Sequence, residues 1–482
     1  MLLTELLCGV EYRLSPDSAP LAEQEVERIV TAPTGELQNA LYICTGRAVD
    51  SARDGMACAY ANGCRLFLCA HDAYPGEGCV IVLCECPEAL AGELTARLLG
   101  YPARKMTVIG ISGMVGKTSV ALLLEQILKR QEICVFSLTS RGFSLEKGKQ
   151  YPRTTVPDAV EIQYALQKMA AAGAEVAILE FSAYQLAHFA AKLIPFAAVL
   201  LTNTDYFAPT EDFDRSLARK REALPRLLEE CSGFSLLPCG TRAKGSGKTL
   251  WLGKGGDAFV RESRVRVSPY GKPQLEIVLQ VAGAEIAALL SDPSPWAAEN
   301  AAAAALLARV IGVTPEQISQ ALCEISLPVG LCCIYAQKER LVYTDSGYLP
   351  QHLAASLSAL RKHTAGRLCV LLGSVGGRAH SRRMALGRVA AEYADFVYLT
   401  ADDPDAEDVR SICAQMLDGM AQPERAVVIP DRVAAIKRGV SDLRPGDVLL
   451  LFGKGSLDFQ LIGGVRTPLN EKNAVLEQAA QL

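Results

Sequence analysis

The decapeptide GISGMVGKTS, residues 110–119, carries the residue types that a phosphate-binding turn needs. Glycines let successive backbone N–H groups face phosphate oxygens, and a following helix N-terminus adds roughly half a positive charge. Lys117 can neutralise a β- or γ-phosphate, and Thr118 offers a hydroxyl to a magnesium ion. The plain P-loop pattern places four residues between its first glycine and Gly-Lys, whereas Gly110 and Gly116 are separated by five. The shorter run Gly113-Met-Val-Gly116-Lys117-Thr118-Ser119 still supplies the chemistry if a strand precedes it and a helix follows. The competing reading is an ordinary strand-to-helix turn with a solvated lysine.

The surrounding elements favour the cradle. MTVIGIS reads as a strand and TSVALLLEQILKR as a helix. VAILEF and FAAVLLTN are near-continuous apolar runs, which suit a parallel sheet buried on both faces. Upstream, ALYICTG, CRLFLCA and CVIVLCE alternate with helical pieces such as PEALAGELTARLLG. Downstream, AAENAAAAALLARVIG is helical, and LVYTDSG, RLCVLLGS, FVYLTADD, RAVVIP and DVLLLFGKG are further strands. YPARK and ISLPVG read as boundaries. The expected fold is α/β in three domains: 1–103, 104–327 and 328–482.

At 482 residues the chain exceeds one compact core. A formal net charge of -4 gives no electrostatic case for nucleic-acid binding. Glu5 interrupts the apolar start, which lacks a basic opening, so a signal peptide is not expected; no stretch is long enough to span a bilayer. The sixteen cysteines contain no Cys-x-x-Cys pair. They suggest buried thiols in a reducing cytosol rather than a zinc site.

The Gly-x-x-Gly-Lys-Thr loop after a strand resembles that of the Mur ligase family, and the resemblance runs along the chain. It is nearest to the enzymes that add the third residue of the peptidoglycan stem. TTVPDAVEIQYAL resembles their Thr-Thr-Pro segment, placing Thr154, Thr155 and, further on, Ser182 of ILEFSAYQL on the substrate side. Glu180 falls at the magnesium carboxylate, and Lys220 at the carbamylated lysine that holds a second magnesium. VYTDSGYLPQHL, GSVGGRAHSRRMALG, TADDPDAED, PDRVAAI and FGKGSLDFQ resemble the remaining segments in order. By resemblance, Asn300 serves the adenine, Asp345 the ribose or γ-phosphate, and Arg378 the carboxylate of an incoming amino acid. A three-domain architecture with a P-loop-type central sheet and a Rossmann-like C-terminal domain is implied. So are ATP and Mg2+, an acyl-phosphate route to an amide, and a UDP-N-acetylmuramoyl-peptide-like acceptor. A cytoplasmic monomer is the corresponding expectation.

Departures from the pattern carry information too. The expected second-magnesium histidine is Tyr206, a second motif histidine is Tyr348, and the hinge arginine position offers Leu331. Ala297 replaces the partner of Asn300, and Leu457 replaces a glutamate after Gly-Lys-Gly. The uridine-contacting stretch reads Thr31-Ala32-Pro33. Asp405 stands where an arginine would hold a second carboxylate. With Asp403 beside it, this favours lysine, ornithine or another diamine over diaminopimelate; the alternative is that both acids cap the next helix. Two other functions compete: an ATP-binding paralogue without ligase activity, acting as a partner subunit, and a folylpolyglutamate-synthase or cyanophycin-type ligase. For a live ligase, Asp345 and Arg378 would complete the ATP site by rotation about residues 326–340.

Overall fold

A computed structural model describes residues 1–16, 18–20, 24–45, 49–73, 75–113, 115–145, 157–202, 223–243, 245–267, 273–325 and 330–481. The chain forms two compact units, one mainly of residues up to Trp251 and the other mainly from Leu252 onward.

The first unit opens with five strands: β1 (Arg13–Leu14), β2 (Arg28–Val30), β3 (Ala40–Ile43), β4 (Leu66–Cys69) and β5 (Val80–Leu83). Their order is β1-β5-β4-β3-β2, parallel except for β1. Alternate side chains feed two cores. Leu41, Ile43, Leu66, Leu68, Val80 and Val82 share one with Leu94 of helix Pro87–Leu98 and Val160 of helix Ala159–Ala171. Tyr42, Phe67, Cys69, Ile81 and Leu83 share the other with Met56 of helix Val49–Ala61. Burial on both faces explains why these strands read as unbroken apolar runs.

The same unit holds β6 (Thr107–Ser112), β7 (Val135–Thr139), β8 (Gly142–Phe143), β9 (Val176–Glu180), β10 (Phe196–Leu201), β11 (Cys231–Pro238) and β12 (Lys248–Leu252). Their order is β12-β11-β10-β6-β9-β7-β8. Pairing from β11 through β7 is parallel, and β6 lies in the middle. YPARK forms a 3-10 turn, Pro102–Lys105, with Pro102 and Ala103 buried. Helix Ala159–Ala171 begins at a capping box. Asp158 accepts from Glu161 N at 2.8 Å, and Glu161 accepts from Asp158 N at 2.9 Å. Such a cap is worth about 1 kcal/mol. The other Asp158 oxygen accepts the Thr31 hydroxyl, and Tyr164 of this helix accepts from Ile29 N at 3.1 Å, which joins the helix to the first sheet.

The second unit starts with a meander not anticipated from the α/β alternation: β13 (Ala258–Val267), β14 (Pro273–Val281) and β15 (Ala284–Leu290), all antiparallel. In β14 every second residue of PQLEIVLQV is buried, the period-2 signature of a sheet with one wet face. Helix Pro295–Ile311 covers β13 and β14, and helix Pro315–Glu324 covers β15. A six-stranded sheet follows: β16 (Cys332–Gln337), β17 (Arg340–Asp345), β18 (Leu368–Leu372), β19 (Phe396–Leu399), β20 (Ala426–Val428) and β21 (Val448–Phe452). Its order is β16-β17-β21-β18-β19-β20, with only β16 antiparallel. A hairpin, β22 (Phe459–Ile462) and β23 (Val465–Pro468), and helix Glu471–Ala479 complete it. No helix among the described residues is long and apolar enough to cross a membrane.

Candidate active site

The glycine turn leaves β6 at Ser112 and enters helix Lys117–Lys129. Gly110 is not part of it. It lies inside β6, where an added Cβ would come within 2.9 Å of Phe196 Cε1 and 3.0 Å of Leu227 Cδ1. Gly110 is therefore a packing glycine, and alanine there would overpack the core at a cost of about 1–3 kcal/mol. That resolves the spacing mismatch, because the turn begins at Gly113. Gly113 and Gly116 have φ of 127° and 82°, a region that side chains disfavour.

Parallel strands carry their loops to one edge, and the C-terminal ends of β6, β7 and β9 meet there. Thr118 Oγ1 donates toward Glu180, 3.0 and 2.9 Å from its two carboxylate oxygens. Ser140, just past β7, lies 3.0 Å from Thr118 through its hydroxyl and donates its amide to Glu180 Oε2 at 3.0 Å. Thr202, just past β10, donates to Val115 O at 2.5 Å and bonds through its own amide to Ser112 O at 2.9 Å. A hydroxyl, a carboxylate and a helix N-terminus beside a glycine turn are hard oxygen donors and anion-facing dipoles. They fit a Mg2+-bound nucleoside triphosphate. Thr118 and Glu180 could hold the cation and Lys117 a phosphate; such a cation would supply charge neutralisation during phosphoryl transfer.

Ser140 and Thr202 were not singled out from sequence. Their signal was positional: polar residues one step beyond apolar strands, in LTS and LTN. Ser119 occupies the first turn of the helix. Ser182 caps the five-residue helix Ala183–Ala187, accepting from Gln185 N at 3.2 Å, and Gln185 Nε2 donates to Pro157 O at 2.9 Å. Thr154, Thr155, Lys220 and Tyr206 lie outside the described residues, as do residues 326–329 of the expected hinge.

In the second unit, Asn300 sits in the second turn of helix Pro295–Ile311. Asp345 ends β17 and is buried. Its Oδ1 accepts from Gly347 N at 2.7 Å and its Oδ2 from Ser356 Oγ at 2.5 Å, so both oxygens shape the following loop. Arg378 lies exposed on the turn after β18.

The acidic segment departs from both sequence readings. Asp403 is bonded to buried Lys454, and its Oδ1 also accepts from Leu461 N at 2.8 Å. Lys454 lies 3.4 Å from Asp402 as well. Asp405, at φ 51°, accepts from Gly464 N at 2.6 Å and donates its own amide to Leu461 O at 2.9 Å, pinning the β22–β23 hairpin. Neither acid caps the next helix. Asp408 does, accepting from Ser411 N at 2.9 Å. Asp403 is thus paired inside the chain with a lysine that it shares with Asp402. Of the two acids, Asp405 is exposed and Asp403 is partly buried.

Beneath these loops lie charges that sequence left undistinguished. Arg432 is fully buried. It donates to Glu471 at 2.6 Å, to Ala401 O at 2.9 Å and to Phe452 O at 3.1 Å. Thr344 Oγ1 bonds Gly455 O at 3.0 Å and Glu471 at 3.4 Å. Residues matched through PDRVAAI and FGKGSLDFQ are therefore supports under the C-terminal edge of the sheet.

Comparison with known proteins matches residues 111–206 to the Mur ligase middle domain and residues 333–455 to the Mur ligase glutamate ligase domain. The UDP-N-acetylmuramoyl-L-alanyl-D-glutamate–2,6-diaminopimelate ligase of Ectopseudomonas mendocina is 31% identical over 405 residues, 80% of each chain. That of Caldanaerobacter subterraneus subsp. tengcongensis is 28% identical over 433 residues, 88% of each. A solved structure of a ligase of this name superposes with a TM-score of 0.65 at 20% identity, covering 100% of this chain and 99% of the other. With the triphosphate-type turn, its paired hydroxyl and carboxylate, and these relatives together, the chain belongs to the Mur ligase family of ATP- and Mg2+-dependent ligases that form carbon–nitrogen bonds.

Proposed function

We propose that this chain joins an amino acid to a UDP-N-acetylmuramoyl-peptide-like acceptor in peptidoglycan synthesis, in the cytoplasm and as a monomer. Relatives named for addition to UDP-N-acetylmuramoyl-L-alanyl-D-glutamate support the acceptor class. The observation that carries the chemistry is the Thr118–Glu180 pair beside the Gly113–Gly116 turn. An acceptor carboxylate oxygen attacks the γ-phosphorus, the β–γ bridging bond breaks and ADP leaves. The amine of the amino acid then attacks the acyl carbon, loses a proton, and expels inorganic phosphate. Such transfer needs alignment and charge neutralisation more than covalent help.

In this reading Lys117 holds the phosphates, Glu180 and Thr118 the first magnesium, and a carbamylated Lys220 the second. Gly113, Gly116, Ser119, Asn300 and Asp345 serve the nucleotide; Thr154, Thr155 and Ser182 serve the acceptor. Arg378 grips the carboxylate of the amino acid, and domain boundaries fall near 103 and 327. Preference for a diamine now rests on Asp405 alone, since Lys454 engages Asp403, and relatives are named for diaminopimelate. Phosphate release from ATP, measured with UDP-N-acetylmuramoyl-L-alanyl-D-glutamate and either diaminopimelate or lysine, tests the reading. Turnover with one amino acid, abolished in Lys117→Ala together with calorimetric Mg-ATP affinity, is expected. ATP binding with no turnover for any pair would instead favour a non-ligating paralogue.

A further inference from the structure

Arg378 leaves the sheet on a glycine-rich turn, GSVGGR, whose own side chains offer almost nothing to fix it. A guanidinium that must meet a carboxylate in bidentate geometry tolerates little wander. Something else has to hold the turn, and one ion pair between a buried arginine and a half-buried glutamate does so. Arg383, on the first turn of helix Arg383–Tyr393, is 0% exposed and bonds both oxygens of Glu407, at 2.6 and 2.8 Å. The same guanidinium donates to Val375 O at 2.9 Å and to Gln415 Oε1 at 3.0 Å. Glu407 Oε2 also accepts the Gly377 amide at 2.7 Å, one residue before Arg378.

The two loops are further interlocked along their backbones. Gly376 N donates to Asp403 O at 2.8 Å, and a Cβ on Gly376 would stand 1.8 Å from Pro404 O. A Cβ on Gly373 would stand 2.3 Å from Thr400 O. These contacts on residues 373–377 all come from the 400–407 segment or from Arg383.

We propose that Glu407 and Arg383 are positioning residues for the ligation: they fix the turn that aims Arg378 at the amino-acid carboxylate, and so set affinity for the amino acid without touching it. This rests on the proposed role of Arg378, and the test separates the two. Steady-state KM values are measured for ATP, for UDP-N-acetylmuramoyl-L-alanyl-D-glutamate and for the amino acid turned over. Where turnover is absent, calorimetric Kd values with diaminopimelate and lysine replace them. The variants are Arg378→Ala, Glu407→Gln and Glu407→Asp, each with its melting temperature.

Arg378→Ala and Glu407→Gln are each expected to raise the amino-acid constant about tenfold or more, leaving those for ATP and acceptor within twofold. Glu407→Asp is expected to recover part of the loss, and it serves as the reporter if Glu407→Gln does not fold. If Arg378→Ala shifts the amino-acid constant and both Glu407 variants leave it unchanged, the positioning role is overturned. Uniform loss across all three substrates, tracking the melting temperature, overturns it as well. No shift in Arg378→Ala sinks the reading of Arg378 itself.

Discussion

Removing the guanidinium of Arg432 probes the frame under the second unit's loops. Arg432 and Glu471 side chains are 0% and 2% exposed, so neither charge can recover water in the folded state. Arg432→Ala strands the Glu471 carboxylate and removes the donors to Ala401 O and Phe452 O. Breaking a buried pair from one side costs about 3–5 kcal/mol, and three lost hydrogen bonds at about 1 kcal/mol each give the same scale. At about 1.4 kcal/mol per decade, local opening rises by roughly two to three and a half orders of magnitude. Hydrogen exchange of β17 and β21 amides, followed by mass spectrometry where closing outruns exchange, reads this directly. Peptides from β3 and β4 are the internal control and should not change. The double replacement Arg432→Met with Glu471→Leu strands no charge, so it should keep only the loss at the two carbonyls, about 2 kcal/mol, and be milder than Arg432→Ala. Less than tenfold acceleration in Arg432→Ala, or a double variant worse than the single, would refute the reasoning.

Gly376→Ala forces Pro404 O to move from a 1.8 Å overlap; the amino-acid KM should rise at least tenfold while Mg-ATP affinity by calorimetry stays unchanged. Hydrogen bonds from Arg383, aided by the Gly377 amide, hold the Glu407 carboxyl down at about 2 against an ordinary 4.5. Because the folded value is the lower one, the stabilisation is complete above about pH 4.5 and is lost as pH falls through about 2. The stability gap between the parent chain and Glu407→Gln should accordingly be flat from pH 5 to 8 and close below pH 4.5 in acid titrations. Burial pushes the thiols of Cys69 and Cys369 up to about 12. Native alkylation mapped by mass spectrometry should label exposed Cys8, Cys58 and Cys86 and spare these two until denaturant is added.

Most of the α/β frame was legible because parallel strands buried on both faces leave unbroken apolar runs, as in FAAVLLTN and DVLLLFGKG. The β13–β15 meander was passed over although PQLEIVLQV alternates cleanly; polar residues on its wet face hid it among apparent loops. At the phosphate turn, sequence identified the residues but could not say that Gly110 belongs to the strand, a fact set by Phe196 and Leu227 across the sheet. Charged residues were the least legible. Lys454, Arg383 and Arg432 look like surface cations in one dimension, and their acidic partners lie 24 to 52 residues away. Only folding decides which acids they pair with, and this is why the Lys454–Asp403 pair is invisible in the sequence.

The Arg432–Glu471 pair has a practical corollary for redesign. Its bonds end on carbonyls at the strand exits, and none reaches Arg378 or Leu457 farther out. Side chains at those outer positions can then be exchanged as interchangeable tooling on a fixed chassis, so a library confined to them should retain folding whatever it does to ligand binding.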